Sequence, residues 1–457
     1  MVVIVGGGIS GLSTAWFLRR RGRAVRVLES RDRVGGLIAT DRSDGFVVER
    51  GPNSTLQKAG TSDDALGRLV AEAGLGDRLV EAGEAGRKRY ILRAGQLRAL
   101  PTSPIAFLTT KLFSWRAKLR LLREPFIRPG ASEESIARFA ERRLGREFLD
   151  YAVRPFISGV YAGDATALSV RAAVPRIYEL EQTYGSLIRG AVALGKVAKG
   201  AGTPAGRMIS FDRGMASLPE AIAGALPEGA CRTGCEAVAL RRTAEGWDVH
   251  WRTTAGSGVE HARTVVLALP ASEAANLLEP LSAEAAQIIR SIPYAPVASV
   301  ALGYDRDQVR HPLDGFGFLT PRNEDVRLLG GLFSSSLFAQ RAPPGKVLIT
   351  AFIGGSTDPG AAALADEELL GRVGDDLARV LGIAGAPGFV RIARHARAIP
   401  QYTLGHLERL AQVDRAVQGL PGLVLRASWR GGISVADCIR NGEGCARQIT
   451  EDSAPEG

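Results

Sequence analysis

The chain of 457 residues is too long for one ordinary hydrophobic core, so its length predicts two or three domains. Hydrophobic residues make up 45% and charged residues 23%, as in ordinary soluble globular proteins. The formal net charge of +10 leaves nucleic acid, an anionic membrane surface and an acidic substrate open as partners. Because the excess arginine is scattered along the chain, the charge is equally compatible with a plain solvated surface.

Cysteine and histidine patterns exclude the usual metal-binding motifs. Three residues separate Cys231 from Cys235 and six separate Cys438 from Cys445, so neither pair has CxxC spacing, and the five histidines are dispersed. We therefore expect no metal site, and four buried thiols in a reducing compartment.

The start of the chain and its apolar runs bear on location. The first predicted strand begins at Val2, which leaves no room for a signal or transit peptide. No uncharged apolar run reaches the roughly 18 to 20 residues that cross a bilayer. We expect a cytoplasmic protein, with peripheral membrane contact left open.

The first 29 residues predict one βαβ unit. Val2–Val5 has no polar face, as expected of a strand that is buried on both sides. Apolar residues then recur at helical spacing, and Val25–Leu28 is predicted as the second strand, which Glu29 ends.

The turn between that strand and helix carries Gly6-x-Gly8-x-x-Gly11. In a dinucleotide-binding loop the first glycine permits the turn, the second lets backbone approach a pyrophosphate, and the third allows close helix–strand packing. Free N–H groups at the helix start attract phosphate, and a carboxylate at Glu29 can accept hydrogen bonds from ribose hydroxyls. We therefore predict a dinucleotide site here.

The rest of the chain changes character several times. Ser30–Gly60 is polar and glycine-rich, Pro101–Pro129 mixes apolar and basic residues, and helical character continues to about Ala198 with a loop at Ser158–Asp164. The glycine-rich Lys196–Gly206 predicts a linker. Later strands are predicted at Ala237–Leu240 and Trp247–Arg252 (a hairpin), Thr264–Leu269, Val297–Tyr304, Val347–Phe352 and Leu423–Arg426, before a helix from about Val435.

The segment after Glu29 favours FAD over NAD as the dinucleotide. Arg31-Asp32-Arg33-Val34-Gly35-Gly36-Leu37 resembles the second FAD motif of amine-oxidase-like flavoproteins, in which a basic residue and two glycines follow the ribose carboxylate. The sequence has no second GxGxxG for a nicotinamide nucleotide, so electrons would leave most simply to oxygen or a quinone.

Further motifs, in order from residue 2 to about 446, resemble the protoporphyrinogen oxidase family of that superfamily. They are Gly51-Pro52-Asn53-Ser54, Lys88-Arg89-Tyr90, Ser158-Gly159-Val160-Tyr161-Ala162-Gly163-Asp164 with Leu168-Ser169, Phe211-Asp212-Arg213-Gly214-Met215, Gly315-Phe316-Gly317-Phe318-Leu319, Leu329-Gly330-Gly331-Leu332-Phe333-Ser334-Ser335, Ile399-Pro400-Gln401-Tyr402-x-Leu404-Gly405-His406 and Arg430-Gly431-Gly432-Ile433-Ser434-Val435.

The resemblance implies a mixed α/β (α+β) fold of three parts. A Rossmann-like FAD-binding domain of the p-hydroxybenzoate-hydroxylase type would comprise residues 1–86, 207–290 and 399–457. A mixed-sheet substrate-binding domain would comprise residues 87–103 and 291–398, and a helical membrane-binding domain residues 104–206.

The resemblance also implies FAD as cofactor. We expect it to be held non-covalently, because no cysteine or histidine lies within the flavin-facing motifs. The expected contacts are Gly6, Gly7, Gly8, Ile9, Ser10, Gly11, Glu29, Arg33, Gly36, Leu37, Gly51, Pro52, Asn53, Ser54, Val238, Ser428, Gly432, Ile433, Ser434 and Val435. Ala427 departs from the family, which commonly has glycine at this position, and its methyl group would crowd the cofactor.

For the substrate, Arg89 matches an arginine that pairs a propionate, a task suited to a guanidinium. By the same resemblance, the ring would be sandwiched by Leu319, Leu332 and Phe352 and the slot lined by Gly159. As residue types alone, these are a surface arginine and ordinary strand-core residues. Asn53 is the polar residue that we expect to orient the flavin ring, as the catalytic candidate.

The implied activity is FAD-dependent oxidation of protoporphyrinogen IX to protoporphyrin IX, a late step of heme biosynthesis. Hydride would pass from a meso carbon to flavin N5 in three two-electron cycles, and molecular oxygen would reoxidise the flavin and release hydrogen peroxide. The alternatives are coproporphyrinogen III oxidation, an amine oxidase or carotenoid desaturase of the same superfamily, and a membrane flavoprotein without enzymatic activity.

The stretch between Leu97 and Pro129 bears on the membrane. Seven basic residues stand there against one acid, Glu124, among large apolar residues. This mixture predicts an interfacial amphipathic helix on an anionic membrane, although a core helix with a basic outer face fits as well. The implied partners are a porphyrinogen, oxygen and the membrane surface, without nucleic acid; a homodimer and hand-off of product to a chelatase stay open.

Overall fold

Strands and helices are mixed along the chain in the computed structural model, which describes residues 1–57, 64–200 and 206–452. The strands are β1 Val2–Val5, β2 Val25–Leu28, β3 Thr40–Ser43, β4 Phe46–Glu49, β5 Thr55–Gln57, β6 Leu79–Glu81, β7 Arg89–Arg93, β8 Gln96–Ala99, β9 Arg207–Phe211, β10 Cys231–Arg232, β11 Glu236–Thr243, β12 Gly246–Arg252, β13 Ser257–Ala262, β14 Thr264–Leu267, β15 Tyr294–Asp305, β16 Gly317–Leu319, β17 Leu328–Leu332, β18 Lys346–Gly354, β19 Phe389–Pro400 and β20 Leu423–Leu425.

The helices pack on the faces of two main sheets and form a separate group between residues 104 and 200. They are α1 Ile9–Arg20, α2 Ala65–Glu72, α3 Pro104–Thr109, α4 Trp115–Arg120, α5 Ile136–Arg143, α6 Arg146–Phe148, α7 Arg154–Tyr161, α8 Val170–Ala173, α9 Pro175–Tyr184, α10 Leu187–Gly200, α11 Ser217–Gly224, α12 Ala271–Leu278, α13 Ala283–Arg290, α14 Ser334–Leu337, α15 Asp366–Leu381, α16 His406–Val417 and α17 Val435–Glu451. The mixed α/β class predicted from the sequence is confirmed.

The first main sheet is parallel, with strand order β10-β2-β1-β14-β20. All four residues of β1 are buried, which confirms the prediction of a strand covered on both faces. One face packs on α1, α11 and α17, and the other packs on α12, α13, α16 and the hairpin β11–β12. The predicted βαβ unit therefore forms the centre of a doubly covered sheet, with β1 as the middle strand.

The strand predicted at Thr264–Leu269 exists as β14, but it joins the parallel sheet and not the hairpin. The third strand of the hairpin sheet is β13, which pairs with β12 and was missed. Its sequence, SGVEHA, has little apolar content, whereas the run TVVL of β14 is typical of a strand buried on both sides.

The second main sheet has strand order β19-β15-β18-β17-β16-β7-β8. β16 and β7 are parallel and the other neighbours are antiparallel. On one face, Phe318, Ala351 and other core residues pack against Leu369, Val373 and Leu377 of α15. The opposite face is turned toward α7 and carries the predicted substrate residues.

Two predictions in the helical region are wrong. The single amphipathic helix expected between Leu97 and Pro129 is instead the end of β8, then α3, α4 and a 3-10 turn at Leu121–Phe126. Ser103 and Ser114 each cap a new helix, and Pro125 cannot continue one. The loop expected at Ser158–Asp164 is helical as far as Tyr161 and turns at Ala162. An exposed glycine such as Gly159 lowers helix propensity without ending a packed helix.

A buried ionic cluster joins this helical region. Arg143, which is fully buried, lies 3.0 Å from the carboxylate of Glu124 and also pairs with Glu181. Glu124 accepts a further hydrogen bond of 2.8 Å from the backbone N–H of Leu187 at the start of α10. The predicted linker Lys196–Gly206 begins inside α10, and residues 201–205 lie outside the described residues. No helix of residues 1–57, 64–200 and 206–452 is long and apolar enough to cross a bilayer.

Candidate functional site

The glycine loop between β1 and α1 leaves space on one side only. A Cβ atom at Gly11 would lie 2.0 Å from the carbonyl oxygen of Gly6, so this helix–strand contact requires glycine. At Gly8 the nearest atom to such a Cβ would be the Cα of Gly36, at 3.9 Å. The loop is therefore tightly packed below and open above Gly8, where a side chain would fill the space that a pyrophosphate needs.

Glu29 is buried beside this loop. One carboxylate oxygen accepts a hydrogen bond of 2.7 Å from the N–H of Gly7, and the other accepts one of 2.9 Å from the N–H of Arg31. The oxygen that faces Arg31 also lies 3.5 Å from the hydroxyl of Ser30, and the oxygen that faces Gly7 keeps a second lone pair. The carboxylate is thus oriented by backbone before any ribose is bound.

The second FAD motif folds against the glycine loop. Gly35 forms a β-bridge with Gly8. The guanidinium of Arg33 donates to three backbone carbonyls, those of Val34, Gly36 and Ile38, at 3.1, 2.9 and 3.3 Å. Burial, with Arg31 and Arg50 nearby, lowers the pKa of Arg33 below its ordinary value. The three hydrogen bonds of Arg33 stabilise the turn that contains Gly35 and Gly36.

The motif Gly51–Ser54 lies next to the second motif. A Cβ atom at Gly51 would lie 2.1 Å from the carbonyl oxygen of Leu37, so the two segments touch. All four residues from Gly51 to Ser54, Pro52 among them, are partly exposed. The side-chain amide of Asn53 donates to the carbonyl of Gly51 at 3.2 Å, which fixes its direction.

Helix α17 brings a second helix N-terminus to the site. α1 and α17 run side by side in the same direction, because Ser13 contacts Cys438 near their starts and Arg23 contacts Thr450 near their ends. Ser434 caps α17 by accepting a hydrogen bond of 3.0 Å from Asp437. Ile9 at the start of α1 packs in the same core as Val435 at the start of α17. Two sets of free N–H groups therefore point to one end of the sheet.

Three other predicted FAD contacts are Leu37, Val238 and Ser428. Val238 occupies a β-bulge of β11 and is 43% exposed, and Leu37 is 38% exposed. Ala427, the departure from the family pattern, is buried in the core beneath the parallel sheet. Its neighbour Ser428 uses its carbonyl oxygen to accept a hydrogen bond from the hydroxyl of Tyr402.

The predicted ring-sandwiching residues share one face of the second sheet. Leu319 pairs across the strands with Gly330, and Gly330 pairs with Phe352. Leu332 lies two residues beyond Gly330 and so points the same way. Leu319, Leu332 and Phe352 are each half-buried, whereas the side chains on the opposite face are buried. Gly159 of α7 lies over this face, since a Cβ atom there would be 2.4 Å from Leu319.

Arg89 lies at the edge of the same face, paired in register with Gly317. Its side chain is exposed, and the guanidinium lies 5.2 Å from the ring centroid of Phe316. It makes no salt bridge with any residue that the structure describes, whereas the neighbouring Lys88 pairs with Asp314 at 2.5 Å. A free cation thus borders the apolar face.

Sequence reasoning assigned no role to Gln401, Tyr402 or His406, although their motif was recognised. In the structure Tyr402 is 2% exposed and its hydroxyl accepts a hydrogen bond of 2.9 Å from Gly432. His406 is stacked on the Tyr402 ring at a centroid distance of 4.3 Å. Their motif was the available signal, but Tyr402 and His406 have partners more than 20 residues further along the chain, and Gln401 has one in Tyr161, far before it.

Known proteins resemble this chain over nearly its whole length. A model of the flavin containing amine oxidoreductase family matches residues 9–450. A chloroplastic protoporphyrinogen oxidase of Oryza sativa subsp. japonica is 35% identical over 98% of this chain and 88% of its own length. A coproporphyrinogen III oxidase of Bacillus subtilis (strain 168) is 29% identical over 97% of this chain and 96% of its own. The crystal structure of a candidate protoporphyrinogen oxidase from Exiguobacterium sp. 255-15 matches with a TM-score of 0.83 at 26% identity over 99% of both chains.

The open glycine loop, the oriented carboxylate of Glu29 and the two helix N-termini fit the phosphates and ribose of FAD. The family match extends over nearly the whole chain, including the second FAD motif and the turn before α17. The chain is therefore an FAD-dependent oxidoreductase that belongs to the flavin containing amine oxidoreductase family and, within it, to the protoporphyrinogen oxidase family.

Proposed function

We propose that the protein oxidises protoporphyrinogen IX to protoporphyrin IX, with molecular oxygen as the electron acceptor. The observation that carries this proposal is the apolar sheet face of Leu319, Leu332 and Phe352, which is bordered by the free cation of Arg89. Relatives named protoporphyrinogen oxidases, aligned over 96–98% of the chain, support it.

A porphyrinogen is a wide, flexible and apolar macrocycle that carries propionates. The sheet face suits its ring because Gly330 and Gly317 contribute no side chain between the larger apolar residues, which leaves a broad shallow surface. Gly159 on α7 similarly lets the opposite wall approach without a side chain. Arg89 can pair a propionate in the bidentate geometry of guanidinium and carboxylate.

The chain's own residues orient the reactants. Bound FAD supplies the hydride acceptor. Glu29 and the loop Gly6–Gly11 hold its ribose and phosphates, and the half-buried Asn53, whose direction Gly51 fixes, orients its ring. No general base is required among the motif residues, since the substrate's own N–H protons are lost to solvent.

Coproporphyrinogen III is the second candidate substrate. The relative from Bacillus subtilis, which aligns with 97% of this chain, is named a coproporphyrinogen III oxidase. The two substrates differ by two carboxylates, so a preference for this one requires cations in addition to Arg89 around the slot.

We also propose that the protein binds an anionic membrane peripherally, through an apolar patch on the helical region. The patch consists of side chains that are more than half exposed: Ile105, Leu108, Trp115, Leu119, Leu122 and Phe126. Lys111, Arg116 and Arg123 are exposed among them, while the acid Glu124 is fully buried. Apolar side chains ringed by cations suit the boundary between acyl chains and headgroups.

The domain division is part of the proposal. Strands of the parallel sheet come from residues 1–86, 207–290 and 399–457. Strands of the second sheet come from residues 87–103 and 291–398, except that β19 continues as far as Pro400. The helices α3 to α10 fall within residues 104–206. Sheet membership thus supports a discontinuous FAD-binding domain, a substrate-binding domain and a helical membrane-binding domain.

The test is to purify the protein, identify the released flavin, and add protoporphyrinogen IX or coproporphyrinogen III in air. Porphyrin fluorescence that rises faster with protoporphyrinogen IX supports the proposal, and faster oxidation of coproporphyrinogen III selects the second candidate. Release of FMN, or of no flavin, would contradict an FAD-dependent oxidation. A yellow protein that oxidises amines or carotenoids only, or nothing, would be an amine oxidase, a desaturase or a flavoprotein without enzymatic activity.

A further inference from the structure

The segment Ile399–His406 lies where the parallel sheet, the substrate face and the helical region meet. Three backbone hydrogen bonds hold it: the N–H of Gln401 donates to the carbonyl of Pro293 at 2.8 Å, the carbonyl of Tyr402 accepts from the N–H of Ser169 at 2.8 Å, and the N–H of Leu404 donates to the carbonyl of Ala167 at 3.0 Å. The side chains of Gln401 and Tyr402 therefore project from a fixed base.

Gln401 reaches the wall of the substrate slot. It is buried, and its side-chain amide donates to the carbonyl of Tyr161 at 2.8 Å and to that of Ile399 at 3.0 Å. Tyr161 is the last residue of α7, the helix that carries Gly159 over the sheet face. The carbonyl at a helix end has no partner inside its helix, so Gln401 both satisfies it and fixes where α7 ends.

Tyr402 reaches the turn before α17. Its hydroxyl donates to the carbonyl of Ser428 and accepts from the N–H of Gly432, so one oxygen joins both ends of this turn. Burial raises the pKa of Tyr402, so the hydroxyl keeps its proton and can donate. Gly432 has φ of +126°, a conformation that few other residues adopt, and the bond helps to hold it there.

His406 fixes the middle of the same turn. Its ring is stacked on Tyr402 with an interplanar angle of 12°, and Nε2 lies 3.1 Å from the carbonyl oxygen of Trp429. Burial lowers the pKa of His406 to about 4, so the neutral ring donates from Nε2 at ordinary pH. Trp429 in turn donates from its indole to Leu269 at 3.0 Å.

We propose that Gln401 and Tyr402 are paired positioning residues that set the gap between the substrate slot and the flavin-facing turn. Tyr402 fixes the turn on the cofactor side, and Gln401 fixes the end of α7 on the substrate side. Because the two residues are adjacent on one hydrogen-bonded segment, that segment sets the distance between the two walls, while each residue holds its own wall. The role of Gln401 at the substrate slot rests on the proposed function, whereas the role of Tyr402 at the turn requires only that a flavin is bound.

The two residues have separable effects. Tyr402→Phe keeps the ring and its stacking on His406 but removes the hydroxyl. We expect the visible absorption band of the bound flavin to shift and kcat to fall about 10- to 100-fold, with KM changed less than about threefold, because misplacement of a reacting group lowers the rate of chemistry. Gln401→Met keeps the side-chain length; we expect KM to rise about tenfold with the flavin band unchanged.

A third readout needs neither flavin nor substrate. Hydrogen exchange of peptides covering Ser428–Val435, measured on the protein stripped of cofactor, should be faster in Tyr402→Phe than in the native chain, because the Gly432 N–H loses its acceptor. The matched control is Tyr294→Phe, which removes a partly buried tyrosine hydroxyl that accepts from the backbone of Ala271 at 3.1 Å, away from the turn.

The proposal is overturned if Tyr402→Phe matches Tyr294→Phe in hydrogen exchange, flavin band and kcat. Should Tyr402→Phe not fold, Gln401→Met decides: an unchanged KM contradicts the pairing, and a raised KM with an unchanged flavin band supports it. If the native protein oxidises no porphyrinogen, the proposed function fails separately, and exchange at Ser428–Val435 together with the flavin band still decides the role of Tyr402.

Discussion

Arg89 differs from its basic neighbours in having no acidic partner among the described residues. Arg87 pairs with Glu84, Lys88 with Asp314, and Arg93 with Glu147. A guanidinium that contacts only an aromatic ring keeps its donors free for a carboxylate from outside the chain. The proposed pairing of Arg89 with a substrate propionate rests on that difference.

The first prediction concerns this arginine. We expect Arg89→Ala to raise KM for a porphyrinogen by about 10- to 150-fold, since a charge-assisted bond is worth about 1.5–3 kcal/mol, with FAD retained. Arg87→Ala is the control, because it removes an exposed cation two residues away. Steady-state kinetics that are equal for the two variants would remove Arg89 from the substrate site.

His406 gives a prediction about pH. Burial above all, and then the nearby Arg409 and Arg430, lower its pKa from 6.5 to about 4 in the folded protein, while the hydrogen bond with Trp429 and the charge of Glu133 act in the opposite direction. Between these values the unfolded chain binds a proton that the folded chain does not, so stability is full above pH 6.5 and falls toward pH 4. The loss is on the order of 3 kcal/mol. Urea unfolding at several pH values should show this decline in the free energy of unfolding. The variant His406→Phe, which keeps a ring stacked on Tyr402, should show a smaller decline. Equal declines in the two proteins would be incompatible with a buried neutral histidine.

Residues that act through local sequence could be predicted, and those that act through distant contacts could not. The glycines of Gly6–Gly11 and the carboxylate of Glu29 belong to one short motif whose geometry the spacing determines. Tyr402 meets Ser428 and Gly432 only because the segment crosses between sheets. No local pattern encodes that meeting.

At the scale of elements, the apolar and basic residues between 104 and 128 are divided between a buried face and an exposed face. Leu112 and Phe113 are buried against Ile91 and Phe148, whereas Trp115 and Phe126 are 63% and 81% exposed. Lys118, counted in the sequence among the basic residues, is buried and donates to the carbonyls of Leu108 and Thr110 at 2.7 and 2.8 Å. The composition of the stretch could not predict which side chains are buried, because their directions depend on three short helical segments and not on one long helix.

The membrane prediction follows from the exposed members. We expect the protein to sediment with anionic and not with neutral liposomes, and salt to weaken binding, since each basic residue near such a surface contributes about 1 kcal/mol. Charge reversal at Lys111, Arg116 and Arg123 should weaken it further. Arg120, another basic residue of this stretch, stays unchanged in this variant because its guanidinium donates to the carbonyl of Arg142 at 3.0 Å.

The matched control reverses three exposed arginines elsewhere: Arg241, Arg310 and Arg447. It changes the net charge equally while leaving the apolar patch as it is. Equal loss of binding in both triple variants would show that net charge alone attracts the protein, and sedimentation with neutral liposomes as well would argue against the electrostatic account.

At the scale of the whole molecule, the proposed site lies between the two main sheets, which are joined where His395 of β19 contacts the carbonyl oxygen of Arg50 beside the Gly51–Ser54 motif. The parallel sheet contributes the glycine loop, Glu29 and the start of α17, and the second sheet contributes the face of Leu319 and Phe352. The order of strands along the chain could be read in part from apolar runs such as Val2–Val5 and Thr264–Leu267. The pairing of distant strands, such as β7 with β16, could not, because it depends on contacts far apart in sequence.

The central claim is that bound FAD takes electrons directly from a porphyrinogen at this junction. The most direct measurement is to mix the purified protein with protoporphyrinogen IX in the absence of oxygen and follow the visible absorption band of the flavin. We expect the band to bleach as porphyrin appears, and to return when air is admitted. A band that stays unchanged with porphyrinogens but bleaches with a primary amine would contradict the account.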